Sequence, residues 1–157
     1  MANEKKFHVA IKALVRDEEG KILILRVNPA QLKDNRHGIY WDLPGGRIEG
    51  NDSPETTLVK ELEEKLNYYG TIHDIKLFHG SISKLDLIVD GEKYGLVLFV
   101  YTCKIDDEEI SLSFEHTDYK WADIEEAKKL LSVKFSSEFI EKLGELKEPE
   151  VRDLGEG

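Results

Sequence analysis

The chain has 157 residues, enough for one domain with its own hydrophobic core, and a mix of 40% apolar and 34% charged residues excludes a disordered chain. A net charge of −10, from 32 acidic and 22 basic residues, excludes general attraction to bulk nucleic acid or an anionic membrane. The one cysteine, Cys103, rules out an intrachain disulfide; with no ~20-residue apolar run and no signal-like start, a cytoplasmic protein is expected.

Phe7–Val15 is apolar and β-branched, Asp17-Glu18-Glu19-Gly20 supplies turn residues, and Ile22–Val27 is a second apolar run. These read as a hairpin. Residues 28–38 form a long polar loop, of the kind that often carries function. A short strand over 39–43 is then stopped by Pro44-Gly45-Gly46. A helix follows, with Ser53 as N-cap, Pro54 in the first position and Glu55 at the positive end of the dipole. Leu58, Val59, Leu62 and Leu66 recur at helical spacing as its buried stripe, and Asn67 suits the left-handed residue that ends a helix.

Strands are expected over 71–78, 82–89 and 93–103, the last two joined by a tight turn at Asp90-Gly91. A final strand over 118–122 precedes helices over 123–131 and 136–146. Residues 147–157 are charged and read as a flexible tail, so a single domain over 1–146 is expected. Cys103, inside an apolar run, reads as a buried filler. The order β-β-β-α-β-β-β-α-α predicts an α/β fold, a mixed sheet with helices on both faces.

The chemistry is concentrated on the central helix. On a helical wheel of about 100° per residue, Lys60, Glu61 and Glu64 lie opposite the leucines. Glu61 and Glu64 are one turn apart, so their carboxylates can converge, and hard cations such as Mg²⁺ or Mn²⁺ take oxygen ligands. The glycines before the helix allow close approach of backbone to a ligand, and free N–H groups at a helix start favour phosphate. Taken alone, the same helix face also fits a merely solvated surface.

Residues 46–68 resemble the Nudix box, G-x5-E-x7-R-E-U-x-E-E-x-G-U, where U is a bulky aliphatic. Gly46, Glu61, Leu62 and Glu64 match. Asp52 stands at the first Glu, Lys60 at the Arg, Lys65 at the second of the paired Glu residues, Asn67 at the final glycine and Tyr68 at the last aliphatic position. The flanks agree over most of residues 6–132, through Leu43-Pro44-Gly45-Gly46-Arg47-Ile48-Glu49 and Glu115-His116 ahead of Trp121. The resemblance implies a Nudix-type α/β/α sandwich and a Mg²⁺- or Mn²⁺-dependent hydrolase that splits the pyrophosphate of a nucleoside diphosphate linked to another group. It implies Glu61 and Glu64 as metal ligands with the Gly46 carbonyl as a third, and Glu115 as a further ligand or base, or else a solvated loop residue. Arg26, Arg47 and Lys60 are candidate phosphate contacts, and Tyr40 is a candidate for stacking on a base.

Lys65 is the main departure from the pattern. It places a cation about 40° from Glu61 on the wheel, where the pattern has a ligand, so the site is expected to bind one metal weakly or to hold fewer metals. Two functions therefore follow: a working pyrophosphohydrolase, or an impaired Nudix-fold module that binds a nucleotide or partner. The expected partner is a small nucleotide, and a homodimer through strand edges is compatible.

Overall fold

The computed structural model describes residues 4–27, 38–106, 110–113 and 116–146. Among these residues, eight strands and three helices run in the order β1 (Phe7–Val15), β2 (Ile22–Val27), β3 (Trp41–Asp42), β4 (Gly45–Arg47), α1 (Pro54–Leu66), β5 (Ile72–Ile82), β6 (Leu87–Val89), β7 (Glu92–Ile105), β8 (His116–Ala122), α2 (Ile124–Leu131) and α3 (Ser137–Gly144). They build a mixed five-stranded sheet, β4-β1-β7-β5 with β6 on β7, and an antiparallel three-stranded sheet, β3-β2-β8.

Alternation along the strands creates two core layers. Ala10, Leu14, Ile22, Ile24, Leu98 and Val100 face Leu131, Phe135, Phe139 and Leu143 of the α2–α3 side. Ile11, Ala13, Val15, Leu23 and Leu25 face Leu58, Leu62 and Leu66 of α1. The expected α/β/α sandwich is what forms. Each fully buried leucine of α1 contributes about 1.5–3 kcal/mol of transfer free energy.

The caps of α1 are those expected. The Ser53 hydroxyl accepts from the Thr56 N–H at 3.1 Å, and Asn67 closes the helix in the left-handed region at φ 54°. Val59 departs from the predicted stripe: it is 39% exposed, and Thr57 is buried instead. A helix resting on one sheet buries only the arc facing it, and Val59 lies at the arc's edge.

The expected hairpin of β1 and β2 is corrected. The turn exists, with Asp17 accepting from the N–H groups of Glu19 and Lys21, but the strands meet only at the bridge Arg16–Ile22 and then enter different sheets. Both edges of β1 are already taken, by β7 in parallel and β4 antiparallel. Turn chemistry specifies a reversal of the chain; which strand pairs with which is settled by the sheet.

Other boundaries move: the strand expected over 39–43 is Trp41–Asp42, that over 82–89 is Leu87–Val89, and that over 118–122 is His116–Ala122. The glycines expected to stop a strand form one themselves: Gly45 and Gly46 pair with Lys12 and Ile11. A Cβ on Gly45 would strike the Ile11 carbonyl, so only glycine permits this approach of β4 to β1. β5 continues to Ile82, with two register irregularities against β7, so a break expected after 78 falls after 82. The Asp90-Gly91 turn is as read: both residues have positive φ and join β6 to β7 through the pair Val89–Glu92. Cys103 is buried in the α1-side core, and burial pushes its thiol up to about 12. No described helix is long and apolar enough to cross a membrane. The predicted tail, 147–157, and nearly all of the loop 28–38 lie outside the described residues.

Candidate active site

β4 and α1 together set the site. The Pro44 carbonyl accepts from Ala13 N–H at 2.8 Å and the Ile48 N–H donates to Val9 at 2.9 Å, so the glycine segment is clamped along β1. The helix then presents Glu61 directly against Gly46. A Cβ at position 46 would overlap the Glu61 carboxyl group, which is the physical reason for glycine there.

Gly46, Arg47, Glu49, Glu61, Glu64, Lys65, Lys12 and Lys134 line one cavity of about 370 Å³, with Ala10, Leu87 and Leu96 as apolar wall. A much smaller adjoining pocket is lined by Arg47, Glu49, Asp52, Thr57, Lys60, Glu61 and Glu64. The structure thus brings Gly46, Arg47, Glu61 and Glu64 together, with Lys60 beside them. Arg26 pairs along β2 with Trp41 and Asp118, and neither it nor Tyr40 lines either cavity. Glu115 lies outside the described residues, although Ser113, two residues earlier, donates from its N–H to the Lys65 carbonyl at 3.1 Å.

Two departures from the box pair in different ways. Lys60 binds Asp52 at 2.7 Å, bracing the helix against the preceding loop. That hydrogen bond and charge raise the Lys60 pKa, with smaller help from Glu49 and Glu64. Lys65 lies 3.9 Å from the inner oxygen of Glu61, and both side chains are largely shielded, at 15% and 13% exposure.

The donor chemistry suits one hard divalent cation: two carboxylates a turn apart, and a glycine whose missing side chain leaves the cradle open at Glu61. Among the described residues no group of three or more His, Cys, Asp or Glu is arranged to hold a metal.

Sequence reasoning missed the floor of the cavity. Asp42 of β3 is buried, and one of its oxygens accepts from Lys12 at 3.1 Å and from Lys134 at 2.6 Å. Lys12 also donates to the Leu43 carbonyl, and Asp42 accepts from the Leu43 N–H. Burial opposes the charge on Asp42, but the two ammoniums hold its carboxyl well below the usual range. Burial lowers Lys12 to about 8, against the attraction of Asp42, and Lys134 adds repulsion. Burial also opposes the charge on Lys134, yet Asp42, with a smaller part from Tyr40, raises its pKa. The one available signal was a lysine in the middle of the apolar strand Phe7–Val15.

A two-layered sheet packed between helices, with a glycine strand feeding a carboxylate-bearing helix, defines a Nudix-type architecture. The chain belongs to the NUDIX domain family, whose model matches residues 6–143. It is 33% identical to an 8-oxo-dGTP diphosphatase of Proteus vulgaris over 66 residues, 42% of this chain and 54% of that protein, so the match spans about half of that relative's length. It is 27% identical to the CTP pyrophosphohydrolase of Escherichia coli (strain K12) over 120 residues, 76% of this chain and 78% of that protein. Among solved structures, the MutT protein from Methanosarcina mazei Go1 superposes with a TM-score of 0.67 at 22% identity, covering 91% of this chain and 94% of that one. These relatives support a hydrolase of the Nudix type, a family that generally uses divalent metals.

Proposed function

We propose that the chain hydrolyses the pyrophosphate linkage of a nucleoside diphosphate joined to another group, with Mg²⁺ or Mn²⁺. The observation that carries this reading is the convergence of Gly46, Glu61 and Glu64 on one cavity with Arg47, in a chain of this family. Glu61 and Glu64 would hold the cation, with the Gly46 carbonyl as third ligand. When bound, the cation neutralises phosphate charge and lowers the pKa of the attacking water. Water adds its oxygen to one phosphorus, the P–O bond to the bridging oxygen breaks, and the two phosphate products share the released proton with solvent or a carboxylate. Arg47 at the rim contacts phosphate oxygens, for which a guanidinium fork is suited. Lys60 adds positive field from the neighbouring pocket. Glu115 is the further carboxylate candidate.

The 3.9 Å contact of Lys65 with Glu61 favours a second reading, a module that binds a nucleotide without turning it over. The deciding experiment is phosphate release from a panel of nucleotides with Mg²⁺ or Mn²⁺, for the wild type, Glu61→Gln and Glu64→Gln. Loss of a metal-holding carboxylate should lower turnover by about 100-fold or more. Unchanged turnover in Glu61→Gln would sink the hydrolase reading. Nucleotide binding with no turnover on any substrate would leave the binding module.

A further inference from the structure

The floor of the cavity carries a charge that the reaction described above does not use. Lys12 from β1 and Lys134 from the turn between α2 and α3 are both buried, and they share the single carboxylate of Asp42. Two ammoniums on one carboxylate leave one net positive charge inside the protein. Asp42 attracts Lys12, whereas Lys134 and Lys65 repel it. A buried, uncompensated charge is costly unless something completes it.

Donor counting points the same way. Two ammoniums offer six N–H donors. The bonds to Asp42 and to the Leu43 carbonyl use three of them, and both lysines line the cavity. The cluster therefore suits a ligand that only accepts hydrogen bonds and carries negative charge.

The placement is also fixed rather than adaptable. The Lys134 backbone carbonyl accepts from the Lys84 N–H at 2.7 Å, and the Lys84 ammonium reaches the Ser132 carbonyl at 2.9 Å, which ties the α2–α3 turn to the end of β5. Lys12 is held on β1 opposite Gly45, one residue from Gly46. The cluster thus stands next to the carboxylates that would hold a metal-bound diphosphate, in the same cavity and beside an apolar wall of Ala10, Leu87 and Leu96. Low polarity on that side strengthens its field.

We infer that Lys12 and Lys134, locked on Asp42, form an oxyanion subsite of this cavity that takes a phosphate of the substrate beyond those held at Glu61 and Glu64. This rests on the cavity being the phosphate site of a Nudix hydrolase, and it adds a preference. Where the group beyond the diphosphate is itself a phosphate, as in a nucleoside triphosphate, the buried charge is completed. Where that group is an uncharged sugar, it is not.

The test uses the full chain without divalent metal, inorganic tripolyphosphate as the probe, and the side-chain ammonium resonances of Lys12 and Lys134 as the local readout. The probe should shift both resonances in the wild type. Lys134→Met leaves the Lys12–Asp42 pair neutral and intact, and Lys12→Met leaves the Lys134–Asp42 pair. Each should lower tripolyphosphate affinity at least 10-fold while the amide spectrum stays folded, and Lys134→Arg should restore much of it. In turnover, Lys134→Met should raise KM for nucleoside triphosphates more than for sugar nucleotides. Tripolyphosphate affinity indifferent to both methionine variants, or a change confined to discrimination among bases, overturns the subsite. A wild type that hydrolyses nothing, yet loses tripolyphosphate affinity in Lys134→Met, keeps the subsite and loses the hydrolase reading.

Discussion

Replacing Lys65 should tighten metal binding, and the structure sets the scale. The ammonium stands 3.9 Å from a Glu61 oxygen with both side chains mostly shielded from solvent. Two unit charges at this separation interact by about 4 kcal/mol at an effective dielectric of about 20. The double charge of Mn²⁺ raises the repulsion it meets at Glu61, while the four-carbon stem of Lys65 lowers it by letting the ammonium swing aside. A realised gain of about 1.5–3 kcal/mol in Lys65→Met corresponds to Mn²⁺ bound roughly 10- to 150-fold tighter. Lys65→Glu should gain more, because it adds a carboxylate as well as removing a cation, and its turnover should rise with it. Titration of Mn²⁺ followed by the electron paramagnetic resonance signal of the free ion measures this directly, with thermal unfolding as a check on the fold. If both variants bind Mn²⁺ as the wild type does, Lys65 does not compete at Glu61 and the electrostatic argument fails.

Gly46→Ala should cost activity and metal affinity together while most of the fold survives, since the new Cβ overlaps the Glu61 carboxyl group; isothermal titration with Mn²⁺ beside a melting curve separates the two effects. Leu62→Ala should lower unfolding free energy by about 2–5 kcal/mol in urea, because Leu62 is fully buried between α1 and the sheets. Cys103, with its thiol pushed up to about 12 by burial, should resist iodoacetamide at pH 8 until urea unfolds the chain; rapid native alkylation would contradict the described packing. Lys12 is lowered to about 8 in the folded chain from its ordinary 10.5. Between those values the unfolded chain binds more protons, so this group makes stability rise with pH across that window, and Lys12→Met should flatten the rise in pH-dependent urea titrations. In the same window Lys12 loses its charge, so tripolyphosphate affinity should fall as pH climbs through about 8.

What could be read from the sequence was local. The caps of α1, its leucine stripe, the left-handed Asn67 and the Asp90-Gly91 turn each depend on residues within a few positions, and each stands as expected. The alternation of β1 was equally plain, yet its partners were not, because β7 and β4 reach it from distant parts of the chain. The site divides along the same line. Glu61 and Glu64 are a helical turn apart and could be paired on a wheel. Asp42 finds Lys12 30 positions away and Lys134 92 positions away, a separation that no periodicity encodes. Arg26 and Tyr40 differ from these: each is singled out by its chemistry, and neither is among the residues that line this cavity.

The same division explains how a box can lose letters without losing its fold. Leu58, Leu62 and Leu66 occupy the face of α1 that packs on the sheets, and Ser53 and Asn67 close its ends. Those residues fix where the helix lies. Lys60, Glu61, Glu64 and Lys65 occupy the other side, where a change of charge removes no packing. Lys65 even finds a partner in Glu61 one turn back, and Lys60 finds one in Asp52, so both substitutions are accommodated by ion pairs within the box. The packing of the fold therefore tolerates a change of charge at these positions. On a chain of net charge −10, the cavity wall nevertheless sets four basic side chains, Lys12, Arg47, Lys65 and Lys134, beside three carboxylates, Glu49, Glu61 and Glu64, with Asp42 behind the lysines as a fourth. Cations and carboxylates are therefore matched in number there, unlike in the acidic molecule as a whole, and Lys12 and Lys134 are buried at an energetic cost. An anionic ligand in this cavity is the physical condition under which that cost is offset.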